Sequence, residues 1–404
     1  MKKIHDLNNL VNIREAEIST ESITVEHRSN NSKRDYLFVN KFQGKHIPTD
    51  PDKALSEFNI LAEKVKKNIA DDARVLVIGF AETATAIGSA VAYALGDRCV
   101  YRTQTTRCIV NGSKKLIEFS EEHSHATQQY LYGDWESIPE FNYILFVEDE
   151  ISTGKTIMNF VNKLRKIHPT VKFGVASICN WQSHENQQVF IDNDIQSFAL
   201  IYGELIDEHA KLNVGVSNRE FNGCNQNGEL CQEITLNIPD KDIFKAEKSG
   251  EILNSKSRDI IVEKVAETAI KLFGKDVHFN RADSLCVIGT EENMYYPILV
   301  ASKLKELLGI NVFTHSTTRS PIDICDDTMD LQNGIVNKSR LISPYSSYTE
   351  SKNTYETFIY NLRKYSKVLI IVDTAETERF NISITAALEY YGNSKNNIKM
   401  VKLV

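Results

Sequence analysis

The chain has 404 residues, of which 42% are hydrophobic and 25% charged, and this length and composition predict a globular protein of two or three domains. The net charge of −7 argues against nucleic acid or an anionic membrane surface as a partner. No apolar run approaches the roughly 20 residues of a membrane helix, and the first residues lack the apolar core of a secretory signal. Seven cysteines without a CxxC pair favour reduced thiols, so the sequence predicts a cytoplasmic protein.

Along the first half of the chain, short apolar runs alternate with helical patterns. The runs are continuous rather than alternating, which is typical of parallel strands buried on both faces of a sheet. They read ARVLVIGF at 73–80, CVYRTQTTRCIV at 99–110, NYILFVED at 142–149 and KFGVASICNW at 172–181. Apolar residues at helical spacing lie between them, as in TIMNFVNKLRKI at 156–167. The alternation predicts an open, mostly parallel α/β sheet.

The last third of the chain repeats the first in the same order. SLCVIGTEEN at 284–293 matches RVLVIGFAET, NVFTHSTTRSPI at 311–322 matches CVYRTQTTRCIV, and KVLIIVDTAETERF at 367–380 matches YILFVEDEISTGKT. A fixed order of similar blocks predicts a duplicated domain. The polar, irregular stretch 207–259 between the copies predicts a connector.

The stretch ILFVEDEISTGKT, residues 144–156, contains the last letters of a nucleotide-binding P-loop. A P-loop needs glycine where this chain has Asp149, and a carboxylate there would repel the phosphates. The stretch instead places Glu148 and Asp149 at the carboxyl end of a buried strand, where open α/β sheets bind ligands. The turn after it leads into a helix whose N-terminus suits one phosphate monoester, and the carboxylates suit a polyol or hydrated Mg²⁺.

This pattern resembles the signature of type I phosphoribosyltransferases, in which an apolar run, two acids and a Ser/Thr-Thr-Gly-x-Thr turn bind phosphoribosyl diphosphate (PRPP). The resemblance implies that Glu148 and Asp149 hold the ribose hydroxyls and Mg²⁺. It also implies a 5-phosphate site in the following turn, made of Ile151, Ser152, Thr153, Gly154, Lys155 and Thr156. Glu150 departs from the signature, which usually has an apolar residue there.

The string Thr317–Pro321 narrows the resemblance, because TTRSP is the hallmark of the TRSP module. That module follows a phosphoribosyltransferase-like domain in bacterial proteins encoded with tellurite-resistance and stress genes. The stretches GKHIP at 44–48, GFAETATAIG at 79–88 and EEHSHA at 121–126 look like the same family. The resemblance implies two tandem, Rossmann-like domains with mostly parallel sheets, the second a degenerate copy. The predicted boundaries are 1–206, a connector at 207–259, and 260–404.

Four further positions are candidates for the site. The loop formed by Phe80, Ala81, Glu82 and Thr83 follows the first buried strand. The resemblance implies that its free N–H groups and the Thr83 hydroxyl contact diphosphate, and a simple strand–helix turn is the alternative. Lys45 lies in a loop and either neutralises diphosphate or is a solvated charge. Arg107 is suited to clamp a phosphate or an acidic acceptor. Arg319 repeats it in the second copy, which either preserves a structural role or builds a second anion site. His123 is an acid/base, diphosphate or metal-ligand candidate, with a solvated loop as the alternative.

The second copy lacks the features of a phosphate site. Val372 and Asp373 stand where the first copy has two acids, the turn has no glycine, and further acids follow. We therefore expect only the first copy to hold PRPP.

The predicted activity is transfer of the 5-phosphoribosyl group from PRPP to a nitrogenous base or related small acceptor, with release of diphosphate and Mg²⁺ as cofactor. The family association suggests that this reaction belongs to the biosynthesis of a nucleoside-like metabolite. No nucleic-acid or membrane partner is expected, and a homodimer is allowed. A PRPP synthetase-like diphosphokinase and a non-catalytic PRPP sensor are the alternatives.

Overall fold

A computed structural model of the chain describes residues 7–28, 34–120, 128–207, 210–212, 214–217, 219–226, 228–238, 242–274, 279–325, 334–349 and 355–404. No helix within these ranges is long and apolar enough to cross a membrane.

The described strands, in chain order, are β1 (Val11–Ala16), β2 (Ile23–His27), β3 (Tyr36–Asn40), β4 (Val75–Gly79), β5 (Cys99–Thr106), β6 (Lys115–Ser120), β7 (Gln128–Tyr132), β8 (Tyr143–Ile151), β9 (Lys172–Asn180), β10 (Ile195–Leu205), β11 (Val216–Ser217), β12 (Glu220–Asn222), β13 (Gln232–Leu236), β14 (Ser284–Gly289), β15 (Asn311–Ser316), β16 (Ile324–Cys325), β17 (Lys338–Ile342), β18 (Glu356–Tyr360), β19 (Lys367–Val372) and β20 (Ile398–Leu403). The α-helices are α1 (Pro51–Asn68), α2 (Ala84–Leu95), α3 (Lys155–Ile167), α4 (His184–Asp192), α5 (Ile243–Ser249), α6 (Ser255–Phe273), α7 (Tyr295–Leu308) and α8 (Glu378–Tyr390).

The chain forms two compact units that interleave along the sequence. The first comprises Met1–Val25, Ser56–Lys211 and Glu247–Leu253, and the second comprises Glu26–Leu55, Leu212–Ala246 and Asn254–Val404. The sequence suggests consecutive domains, because hydrophobic periodicity does not report which distant segments pack together. The structure instead places residues 26–55 with the C-terminal repeat.

The first unit is built on an eight-stranded sheet with the order β1-β10-β9-β8-β4-β5-β7-β6. The five strands from β10 to β5 are parallel to their neighbours, while β1, β7 and β6 add antiparallel edges. If these five parallel strands are numbered by their order along the chain, their order across the sheet from β5 to β10 is 2-1-3-4-5, which is the flavodoxin-like arrangement. The connections leave β4 and β8 in opposite directions, so the crevice between their carboxyl ends is the expected ligand site.

Close helix–sheet packing positions this crevice. Helix α2 is rich in small residues, and a Cβ added to Gly88 would lie 3.0 Å from the Cα of Gly79 on β4. Helix α3 buries Ile157, Phe160, Val161 and Leu164, which recur at helical spacing, while its other face carries lysines. Because β4 and β8 are parallel neighbours, α2 and α3, which follow them, both begin at the carboxyl-end edge of the sheet.

The second unit contains a five-stranded parallel sheet with the order β13-β20-β19-β14-β15. Its last four strands repeat the order β9-β8-β4-β5 of the first unit, which confirms the predicted α/β fold with a second, repeated domain. The fifth position differs: in the first unit β10 follows β9 along the chain, whereas in the second unit β13 precedes the whole repeat.

The stretch 207–259, predicted to be an irregular connector, is folded into both units. It supplies β11, β12 and β13 to sheets of the second unit. Residues 247–253 pack on β5 of the first unit, where Glu247 is 3.4 Å from the Arg102 guanidinium and the Glu251 N–H donates to the Arg102 carbonyl at 2.8 Å. Strands of five residues or fewer with polar exposed faces leave little periodicity in a sequence, which explains why this region looks irregular.

Candidate active site

The acidic stretch lies at the carboxyl end of β8, as predicted. Val147 is buried, whereas Glu148, Asp149 and Glu150 are half-buried, so the strand passes from the core to the crevice over these residues. Because side chains alternate along a strand, Glu148 and Glu150 lie on one face and Asp149 on the other. Glu150 lies opposite Cys179 of β9. The sheet therefore presents carboxylates next to the start of α3.

Gly154 ends the turn between β8 and α3, and only glycine suits this position. Its φ of 74° is in the left-handed region, and an added Cβ would lie 2.6 Å from the Phe190 ring and 2.7 Å from the Gln182 side-chain nitrogen. The turn places Ser152, Thr153 and Thr156 half-buried around the N-terminus of α3, with Lys155 exposed. Ile151 is buried, and its carbonyl accepts the Trp181 N–H at 2.8 Å, so it anchors the turn.

The carboxyl ends of β8 and β9 are strongly negative. Burial raises the pKa of the Cys179 thiol well above its usual range, and the charges of Glu150, Asp149 and Glu57 raise it further. Glu57 comes from α1 and is buried. Sequence reasoning missed Glu57, although it shares the helix face of Ala54, Phe58 and Leu61 at spacings of three and four residues. An acid on the apolar face of a helix was the available signal.

The loop after β4 is held by its own backbone. The Phe80 N–H donates to the Val147 carbonyl at 2.9 Å, and the Ala81 N–H donates to the Thr105 hydroxyl oxygen at 2.8 Å. The Thr105 hydroxyl in turn donates to the Gln129 amide oxygen at 2.8 Å. The expectation that the N–H groups of Phe80 and Ala81 are free is therefore wrong, because they fasten the loop to β8 and β5. The Phe80 ring also lies in the core, against Phe146 and Phe160.

Glu82 and Thr83 complete this loop at the start of α2. Glu82 is buried, and its carboxylate lies 3.5 Å from Nη1 of Arg107, which follows β5. Thr83 is half-buried, and its side chain makes no capping hydrogen bond to α2. The structure thus brings Glu82 and Arg107 together at the same edge of the sheet as the acidic stretch.

The structure gives one predicted site residue, Lys45, partners of a different kind. Lys45 belongs to the second unit, where its fully buried ammonium donates to the carbonyls of Glu291 and Thr317 at 2.6 and 2.9 Å. Its partners are separated from it by hundreds of residues, so the sequence carried no signal for them. Lys45 is therefore a structural residue of the second unit and is not carried into the proposed site. His123 lies outside the described residues and stays a prediction.

Family comparisons agree with this architecture. A family model described as "Phosphoribosyl transferase" matches residues 23–203, and a model described as "TRSP domain C terminus to PRTase_2" matches residues 253–388. The chain is a phosphoribosyltransferase-family protein with a C-terminal TRSP domain. A search of curated proteins finds no match.

Several solved phosphoribosyltransferases are similar to part of the chain. Adenine phosphoribosyl transferase from Trypanosoma brucei has 13% identity and a TM-score of 0.29, covering 43% of this chain and 86% of its own. Orotate phosphoribosyltransferase from Aeropyrum pernix has 12% identity and a TM-score of 0.29, with coverages of 44% and 86%. The adenine enzyme from Giardia lamblia has 13% identity and a TM-score of 0.31, with coverages of 44% and 92%.

In the TRSP domain, the acid that corresponds to Asp149 is buried. Asp373 at the end of β19 corresponds to Asp149, and its carboxylate is buried and accepts a hydrogen bond from the Tyr345 hydroxyl. Burial and the charge of Asp373 raise the pKa of Tyr345 well above its usual range, so the hydroxyl stays a donor. This acid is therefore buried and bonded to an internal partner, whereas the strand position of Asp149 is half-buried.

The TRSP domain repeats the contact of Arg107 with the loop after the first strand. Arg319 corresponds to Arg107, and its Nε forms an ion pair with the buried carboxylate of Glu291, which follows β14. Ser343 donates to the same carboxylate at 2.6 Å. The sequence left open whether Arg319 repeats a structural role or builds a second anion site. An arginine paired with a loop acid in both domains favours the structural role.

The phosphoribosyltransferase family implies a magnesium ion, and the carboxylates of β8 fit it. Within the described ranges, no group of three or more His, Cys, Asp and Glu side chains is arranged to hold a metal ion. Magnesium usually keeps several waters and binds one or two carboxylates together with substrate phosphates. Glu148 and Asp149, half-buried at a strand end, offer donors of that kind.

Proposed function

We propose that this protein transfers the 5-phosphoribosyl group of PRPP to a nitrogenous base or related small acceptor and releases diphosphate. The observation that carries the proposal is the position of Glu148 and Asp149. They stand at the carboxyl end of β8, beside β4 at the switch point of the sheet, and a glycine turn follows them into α3. The reaction would take place in the cytoplasm as one step in the biosynthesis of a nucleoside-like metabolite, and its direct product would keep the 5-phosphate.

The two halves of this stretch would bind the two halves of ribose 5-phosphate. The carboxylates of Glu148 and Asp149 accept hydrogen bonds from the vicinal ribose hydroxyls. The N-terminus of α3 faces the 5-phosphate with backbone N–H groups, and Ser152, Thr153 and Thr156 add hydroxyl donors. Lys155, the first residue of α3, adds a positive charge beside the phosphate. Gly154 permits this turn, and Ile151 anchors it.

The loop after β4 would contact the diphosphate. Thr83 supplies a hydroxyl, and the N-terminus of α2 supplies a partial positive charge. Glu82 and Arg107 hold the loop in place, so we assign Arg107 a positioning role. Because Phe80 and Ala81 fasten the loop by their N–H groups, the diphosphate contact falls to Thr83 and the first turn of α2.

The reaction breaks the bond between the anomeric carbon and the diphosphate oxygen, which takes the electron pair. A lone pair of the acceptor nitrogen forms the new bond to that carbon, and the proton on that nitrogen leaves afterwards. Positive charge develops on the ribose ring in between. The carboxylates of Glu148, Asp149 and Glu57 favour that charge through their fixed negative field. Magnesium, held by Glu148, Asp149 and substrate oxygens, would neutralise the diphosphate.

The experiment that tests the proposal is diphosphate release. The full chain is incubated with PRPP, Mg²⁺ and a pool of bases and related small metabolites, and diphosphate and phosphoribosylated products are quantified. We expect diphosphate to appear together with one phosphoribosylated product. Formation of AMP from ATP and ribose 5-phosphate would instead support a diphosphokinase. PRPP binding without product from any acceptor would support a sensor and contradict the proposed transfer.

A further inference from the structure

Strand β13 of the second unit has an open edge. It forms hydrogen bonds on one side with β20, and among the described strands none pairs with its other side. Residues 232–235 are exposed, and Ile234 keeps 38% of its surface accessible. An open strand edge presents unpaired backbone groups that accept another strand.

The first unit shows which kind of strand this position takes. β13 occupies the place in its sheet that β10 occupies in the first unit, and there the outer side of β10 is covered by β1 in antiparallel orientation. The second unit lacks a counterpart of β1 among its described strands. The repeated fold therefore leaves room for one antiparallel strand beyond β13.

The edge of β13 also lacks the usual features that prevent association. Natural edge strands carry lysine, proline or a bulge at the edge. The sequence Gln-Glu-Ile-Thr-Leu of β13 has no lysine or proline, and its pairing with β20 runs without a bulge. Its one charged residue, Glu233, forms an ion pair with Lys402 of its own unit at 2.8 Å.

We propose that β13 is a self-association surface, on which the β13 strand of a second copy of this chain pairs in antiparallel orientation. A strand that pairs with its own copy in this orientation obeys a two-fold axis, so both copies use the same surface. The two five-stranded sheets would then continue as one. The proposal does not use the proposed phosphoribosyl site.

Backbone directions fix the register. The Leu236 carbonyl accepts the Val404 N–H at 3.3 Å, and the Ile238 N–H donates to the Val404 carbonyl at 3.0 Å. The backbone N–H and C=O groups of both residues therefore point towards β20. Because the direction of these backbone groups alternates along a strand, those of Ile234 also point towards β20. The backbone groups of Glu233 and Thr235 point towards the open edge. In a pairing of two copies, a residue whose backbone groups point towards the open edge must lie opposite a residue of the second copy whose backbone groups also point towards its open edge.

Charge then selects among the symmetric registers. An axis at Glu233 would set two carboxylates directly opposite each other, which is unfavourable. An axis at Thr235 would set Glu233 opposite Asn237, whose carbonyl is already taken by the Lys264 ammonium at 3.1 Å. An axis at Ile234 sets each Glu233 opposite Thr235 of the second copy, with hydrogen bonds exchanged by both pairs. It also brings the two exposed Ile234 side chains together.

Cysteine cross-linking tests this register. Residues opposite each other in a non-hydrogen-bonded antiparallel pair have Cα atoms about 4.5 Å apart, within the roughly 4.4–6.8 Å that a disulfide spans. We therefore expect Ile234→Cys to form a covalent dimer under mild oxidation. Thr235→Cys is the matched control, because its opposite residue is Glu233, and the wild-type chain controls for its own seven cysteines. Cross-linking of Thr235→Cys but not of Ile234→Cys would overturn the proposal.

Sedimentation measurements test the association itself. Five residues per copy make a contact smaller than the roughly 800 Å² per partner of a standard interface, so we expect a weak, concentration-dependent dimer. Thr235→Pro removes an N–H that faces the edge and leaves pairing with β20 intact, and should raise the dissociation constant about tenfold or more. Ile234→Lys, which sets two ammonium groups opposite each other, should do the same. A wild-type chain that stays monomeric up to its solubility limit would overturn the proposal, as would unchanged association of both variants.

Discussion

The half-buried Arg107 and the buried Glu82 form an ion pair that joins the end of β5 to the loop after β4, with Nη1 3.5 Å from Oε2. Arg319 and Glu291 make the corresponding pair in the TRSP domain. The pair occurs in both copies, including the copy in which the acid corresponding to Asp149 is buried against Tyr345. We therefore propose that this arginine positions the loop rather than contacting a substrate directly.

Removal of either partner of this pair should slow the reaction. We expect Arg107→Met and Glu82→Gln each to lower kcat by about tenfold or more, because an uncompensated buried charge displaces the loop. The double variant should be no worse than the poorer single variant, since the two act as a unit. Arg98→Met is the control, because Arg98 faces the fully exposed Asp71 at 3.8 Å. Additive losses in a double-mutant cycle of kcat would contradict the positioning role.

Gly154→Ala should weaken PRPP binding about tenfold or more, because the new Cβ meets Phe190 and Gln182 in a turn with positive φ. The measurement is the PRPP dissociation constant. Gly309→Ala is the matched control: Gly309 follows α7 with a φ of 62° and a ψ of 29°, in the same left-handed region as Gly154, and nothing lies within 4 Å of its added Cβ. It should carry the backbone strain, a cost in stability of about 1–2 kcal/mol, without the loss of affinity. Equal affinity losses in both variants would contradict a specific role of the Gly154 turn.

The acidic stretch was predictable because it is contiguous. Glu148, Asp149 and Gly154 lie within seven residues of each other, and a strand, a turn and a helix N-terminus were enough to place them. The same reasoning failed for Lys45, whose partners Glu291 and Thr317 are distant in the sequence. Strand β13 belongs to the sheet of the second unit because it pairs with β20, which is distant in the sequence. No local pattern distinguishes such a strand from a connector.

Lys45→Met should destabilise the second unit without affecting the substrate. The change leaves the carbonyls of Glu291 and Thr317 without a buried donor, at a cost of about 2–4 kcal/mol in the free energy of unfolding. Chemical denaturation measures the stability, and the PRPP dissociation constant should change less than about twofold. A large rise in that constant with unchanged stability would instead support the diphosphate role that the sequence suggested.

His315 should make the stability of the second unit depend on pH. Burial lowers the pKa of this histidine to about 3, below its unfolded value of about 6.5. Between these values the unfolded chain binds the proton and the folded chain does not, so stability is complete above about pH 6.5 and falls as the pH falls towards 3. From pH 7 to pH 5 the loss should be about 2 kcal/mol. His315→Gln should lack this part of the pH dependence, and identical profiles of unfolding free energy for both proteins would refute it.

Equilibrium binding of PRPP to the wild-type chain and to the Glu148→Gln, Asp149→Asn double variant tests the central claim most directly. The substitutions keep side-chain size and remove both charges, and circular dichroism and unfolding curves confirm that the variant stays folded. We expect Mg²⁺-dependent binding of one PRPP per wild-type chain and a loss of at least about a hundredfold in affinity in the variant. Unchanged PRPP affinity in the folded double variant would show that the phosphoribosyl site lies elsewhere.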